Sequence, residues 1–164
     1  MLKFEDAQAL GDLLVAEIVK TDVITVPPST PMLEIIRIFR DHNFEGLPVV
    51  ENDELKGIAF RRELLNFYLV PSRDLDEADT RKLFQLVSLM DVNRPVSGFM
   101  ETEPLSVTPN TKISRVAQMM LEYNLFTIPV VNRKRDFWRR EKRLFVGIVT
   151  LTDMMPLLYE AICC

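Results

Sequence analysis

Cysteine is nearly absent from this chain: two residues in 164, Cys163 and Cys164, side by side. They could close at most one bridge, which excludes a disulfide framework and points to a reducing compartment, the cytoplasm. They also lack the C-x-x-C spacing that favours zinc, and the single histidine, His42, excludes a two-histidine metal site. Glycine is scarce, with five residues, and neither G-x-x-x-x-G-K-[ST] nor G-x-G-x-x-G occurs. No apolar run approaches the ~20 residues of a membrane helix, so no membrane insertion is expected. The opening stretch, MLKFEDAQALGDLL, carries Glu5, Asp6 and Asp12 in place of a basic segment followed by an apolar one, so no secretory signal is read there. A positive excess is missing too. The net charge is −4, which gives the chain as a whole no bias toward nucleic acid.

What is present describes a packed protein. Hydrophobic residues make up 48% of the chain and charged residues 27%, a globular profile. A domain of 164 residues buries roughly 68–70% of its unfolded surface and needs no staples. The organisation is a duplication. Pro48 and Pro129 lie 81 positions apart, and the same offset takes Thr21 to Thr102, Val26 to Val107, Pro28 to Pro109, Thr30 to Thr111 and Asn43 to Asn124. The apolar stripe Met32, Ile35, Ile36, Phe39 falls on Ile113, Val116, Ala117, Met120, in each copy one face of an amphipathic helix. Gly57 falls on Gly147 with offset 90, so the second copy carries nine extra residues before its last strand.

Each copy reads as a short β segment (VITV, PLSV), a turn, the helix, a strand (LPVV, IPVV), a hairpin, a second strand (KGIAF, FVGIV) and a closing helix. The expected class is α/β (α+β), with two pseudo-symmetric β-α-β-β-α repeats. The expected divisions are a lead-in at 1–14, a first repeat at 15–70, a linking helix at 71–95 and a second repeat at 96–164, with a hairpin insertion at 132–143. Acids Asp74, Asp76, Glu77 and Asp79 suit the start of the linking helix. They do not make a calcium loop, because Asp79 stands where glycine is required and Gln85 where glutamate is. His42 is matched by Tyr123 in the second copy; it reads as a surface residue, and no enzyme activity is expected.

Two copies of h-T/S-V-x-P-x-T, an amphipathic helix, h-P-V-V and, in the second copy, G-h-h-T-x-x-D resemble a tandem pair of cystathionine-β-synthase-type (CBS) domains, a Bateman module. The resemblance runs from about Leu13 to Tyr159. It implies two repeats packed sheet to sheet about a pseudo-twofold axis, commonly as a homodimer, and a module that regulates a separate protein and requires no cofactor. It also implies an adenosyl ligand in the cleft between repeats: AMP, ADP or ATP, sometimes S-adenosylmethionine or a cyclic dinucleotide. By position, the adenine slot falls to Val19, Ile24, Phe44 and Gly46, with Ile148 from the second copy.

The stretch GIVTLTD, where a strand turns into a helix, supports this on its own chemistry. Unpaired N–H groups and the positive end of the helix dipole suit a phosphate there. Thr150 and Thr152 can donate to phosphate or ribose oxygens, and Asp153 can accept two ribose hydroxyls. The same Thr150-x-x-Asp153 spacing is close to a capping box, and both roles are compatible. The first copy departs from the pattern, with Phe60 and Glu63 where Thr150 and Asp153 stand. A second site, lined by Met100, Leu105, Leu125, Thr127 and Ile58 with Arg61, Arg62 and Glu63, is therefore expected to be empty or altered. The insertion NRKRDFWRREKR holds seven Lys/Arg against two acids, net +5, so the remainder of the chain carries −9. Such a hairpin, with Phe137 and Trp138, suits an anionic partner or simple solvation. Nucleic-acid sites spread a wider basic face, so that partner is not expected.

Overall fold

The computed structural model describes residues 12–64, 91–135 and 141–163. Most of the linking helix, the first repeat's closing helix beyond residue 64, and Phe137, Trp138, Arg139 and Arg140 lie outside these residues.

Each repeat builds a helix and a hairpin. In the first, α1 (Met32–Asp41) precedes β1 (Gly46–Glu51) and β2 (Glu54–Phe60). In the second, α2 (Ile113–Tyr123) precedes β3 (Thr127–Arg135) and β4 (Glu141–Thr150), and α3 (Leu151–Cys163) closes the chain. Three members of each helical stripe are buried, Met32, Ile35 and Phe39 in one repeat and Ile113, Val116 and Met120 in the other, while the fourth, Ile36 or Ala117, is half-buried against the same core. Asn52 and Asp53, with φ of 52° and 61°, make the tight β1–β2 turn, a backbone that suits short polar side chains and the right-handed strand twist. The hairpins meet through Glu54 and Leu144, and the Phe145 N–H donates to Asp53 O at 2.8 Å. One antiparallel sheet results, in the order β1-β2-β4-β3.

The expected strands VITV and PLSV shrink to single parallel bridges, Val26 with Val49 and Val107 with Val130. Proline explains this: Pro27 and Pro28 follow one segment, while Pro104 opens the other and Pro109 lies just beyond it, and proline has no N–H to extend a ladder.

The lead-ins cross over. Residues 13–20 dock on the second repeat: the Val15 N–H donates to Thr111 O at 2.9 Å and the Ile113 N–H to Leu13 O at 2.8 Å. Val15 is buried in the core made by Val116, Ile128, Val130 and Val149. The matching segment, residues 94–101, docks on the first repeat, with the Val96 N–H donating to Thr30 O at 2.8 Å and the Met32 N–H to Arg94 O at 2.9 Å. Val96 is buried with Ile35, Leu47 and Val49. Each repeat's core is thus completed by the other repeat's lead-in.

Candidate functional site

The crossing lead-in makes one wall of a cleft. The Lys20 N–H donates to Ile148 O and the Ile148 N–H to Lys20 O, both at 3.0 Å, tying the first repeat's entry to β4. Neighbouring side chains on an extended segment point to opposite sides. Val19 therefore packs against the second core, and Lys20 lines a cavity of about 550 Å³ between the repeats. The first repeat contributes Lys20, Asp22, Val23, Ile24 and the loop Asn43–Gly46 with Pro48; the second contributes Phe126, Thr127, Ile148, Thr150, Leu151 and Thr152. Phe44 is stacked on His42, with ring centres 4.9 Å apart. Ile24, Phe126 and Leu151 are 38%, 45% and 37% exposed at this cavity, so apolar surface faces it without a protein cover.

Helix α3 begins at the cavity wall. The Leu151 N–H donates to Phe126 O at 2.9 Å. Asp153 reaches back from the helix: its Oδ2 accepts from both the Thr150 N–H and the Thr150 hydroxyl, each at 2.7 Å. Its Oδ1 pairs with the Lys20 ammonium. The Asp153 side chain is 7% exposed while Lys20 is 56% exposed, so the carboxylate sits behind the wall and the lysine covers it. The capping role of TLTD is thus present.

Of the residues expected at the site, the cavity gathers Ile24, Phe44, Gly46, Ile148, Thr150 and Thr152. Asp153 stands one layer back, in contact through Thr150 and Lys20, and Val19 belongs to the second core. Sequence reasoning missed Lys20, Asp22, Asn43, Glu45, Phe126 and Leu151. Two of these had a signal: Phe126 and Leu151 flank expected site residues, Leu125 by the repeat offset and Thr150 by adjacency.

The residues expected at a second site do not share one cavity. Thr127 lines the first cavity, Ile58 is wholly buried, and Leu105 is 41% exposed elsewhere. Phe60 is buried beneath the Arg62 guanidinium, 5.3 Å from its ring centre, and Arg62 donates to Asn124 O at 3.1 Å across the repeats. About 70 Å³ remains there, touching Arg62 and Leu125. Arg61 is likewise committed, donating to Asn43 Oδ1 at 3.2 Å and His42 O at 3.1 Å. Met100 and Glu63 border a separate, open groove of about 450 Å³ with Glu101 and Glu103. By the repeat offset, Glu101 stands where Lys20 stands in the first copy. This side is acidic where the other has its cation.

The CBS domain family model matches residues 15–70 and 96–160. The chain belongs to the CBS domain family. Among curated relatives, the CBS domain-containing protein YhcV of Bacillus subtilis is 27% identical over 85% of this chain and 81% of its own length. The A-adding tRNA nucleotidyltransferase of Geobacter sulfurreducens is 24% identical over 88% of this chain, which spans 13% of that enzyme. Among solved structures, CBSX2 in complex with AMP has a TM-score of 0.63 at 22% identity, over 90% of this chain and 96% of that one. The CBS domain pair of MJ0100, in complex with 5′-methylthioadenosine and S-adenosyl-L-methionine, has a TM-score of 0.58 at 24% identity, over 89% and 99%. The fold is that of a CBS domain pair. Among the described residues, no helix is long and apolar enough to cross a membrane.

Proposed function

We propose that this CBS pair is a regulatory module that binds one adenosyl ligand in the cleft at the start of α3 and signals its presence to a separate protein, working as a cytoplasmic homodimer without catalysis of its own. The observation that carries the reading is the 550 Å³ cavity between the repeats, with Ile24, Phe126 and Leu151 exposed to it and the Thr150 and Thr152 hydroxyls beside them. A flat base fits the apolar walls, and a ribose fits the end where the Thr150 and Thr152 hydroxyls stand. The AMP of CBSX2 and the adenosyl ligands of MJ0100 support the ligand class. A ligand touching both repeats biases their relative orientation only as far as its affinity for the two arrangements differs.

Thermal unfolding with AMP, ADP, ATP, 5′-methylthioadenosine and S-adenosylmethionine tests this. A ligand at ~100 times its dissociation constant stabilises by about 2.7 kcal/mol, a rise of about 5–11 °C for a chain of this size. The shift should shrink in Ile24→Glu, which places a charge on the apolar wall. A specific observation favours a second reading, a ligand-free docking module: both Asp153 oxygens already have protein partners. On that reading no adenosyl compound moves the transition, and Asp153→Ala only costs a helix cap, about 0.5–2 kcal/mol.

A further inference from the structure

We propose that the cleft selects its ligand by charge, taking an uncharged or cationic adenosyl compound, a thioether or sulfonium nucleoside, in preference to one with a phosphate chain. The inference rests on the adenosyl reading and names the ligand class within it. Among the described residues, three charged side chains line the cavity: Lys20, Asp22 and Glu45. Lys20 is the one cation, and it is committed to Asp153. Drawing it onto a phosphate would strip its counter-ion from a carboxylate that is only 7% exposed, the costly way to break such a pair. Glu45 is balanced by Arg61 at 3.6 Å. Asp22 is exposed and has no ion-pair partner among the described residues. The described lining therefore presents one uncompensated negative charge.

The helix start does not reverse this balance. An α-helix N-terminus carries roughly half a positive charge; beside the Lys20–Asp153 pair, which is neutral as a whole, that half charge is smaller than the full negative charge of Asp22. A triphosphate would bring several negative charges to a site whose described residues include no free cation and one free carboxylate. A sulfonium would bring the opposite sign to Asp22. At a solvated rim, each added negative charge a few ångströms from Asp22 weakens binding by about three- to tenfold at low salt.

Isothermal titration calorimetry with a charge series on one scaffold tests this: S-adenosylmethionine, 5′-methylthioadenosine, AMP, ADP and ATP, against wild type, Asp22→Asn and Asp22→Lys. Position 22 is exposed, so the variants keep the fold. The expected affinities fall in that order for wild type, converge in Asp22→Asn, and turn toward the phosphates in Asp22→Lys. ADP or ATP binding wild type as tightly as 5′-methylthioadenosine would overturn the inference while leaving the adenosyl reading standing. So would an order that Asp22→Lys leaves unchanged. Binding of none of the five would overturn the adenosyl reading itself, and the charge selection with it.

Discussion

Gly147 holds the cleft wall together by having no side chain. A Cβ there would lie 2.1 Å from Lys20 O and 2.9 Å from Val19 Cγ2, so the lead-in must leave β4 to make room. Gly147→Ala should break the paired bonds between Lys20 and Ile148 and cost about 1–3 kcal/mol. The check is a lowered urea midpoint, accompanied by weakened ligand binding, because Lys20 moves with the wall. An unchanged midpoint would mean that the two segments part freely. At this scale the sequence was readable where a contact is local. Thr150 and Asp153 lie three positions apart, and their pairing at a helix start follows from spacing alone. Lys20 was not readable. The side it faces is set by pairing with Ile148, 128 positions away in the sequence, and nothing around IVKTD tells Val19 from Lys20.

The elements divide in the same way. The helices α1 and α2 followed from their stripes, since burial of Met32, Ile35 and Phe39 or of Ile113, Val116 and Met120 needs only 3.6-residue periodicity. The leading β segments did not follow, because the prolines beside them limit each to one bridge. The ribbon formed by β3 and β4 holds a feature visible only once register is known. Arg133 lies opposite Arg143, and Lys134 opposite Lys142. Arg133 finds Glu141 at 3.1 Å and Arg143 finds Glu103 at 3.4 Å. Lys134 and Lys142 have no ion pair among the described residues. Like charges directly opposed weaken a ladder. Lys142→Glu should therefore stabilise the protein by about 0.2–1 kcal/mol, raising the thermal midpoint at low salt with a gain that fades as salt is added. A midpoint that stays level or falls would show that the lysines do not oppose each other in solution.

At the scale of the molecule, the crossed lead-ins bind the two repeats into one cooperative unit. Val15 and Val96 are both fully buried, each in the core of the repeat it does not precede. Val15→Ala removes two methylene equivalents from the second core, about 1.6 kcal/mol by transfer alone and more with the cavity left behind. Val96→Ala should do the same to the first. Because each core needs the other repeat's segment, either variant should lower a single unfolding transition, and probes placed in either repeat should report the same midpoint. Two separated transitions would sink the idea. The duplication was legible from the offset of 81; the exchange of lead-ins was not, since either docking satisfies the same apolar pattern. That exchange also has a consequence during synthesis. Lys20 emerges 128 residues before its partner Ile148, an interval of roughly 6–25 s at ordinary elongation rates. Until then the surface that covers Val15, Ile18 and Val19 lacks Val149 and Met154, so a growing chain keeps an incomplete second core open to chaperones, or to another nascent copy, until β4 is made.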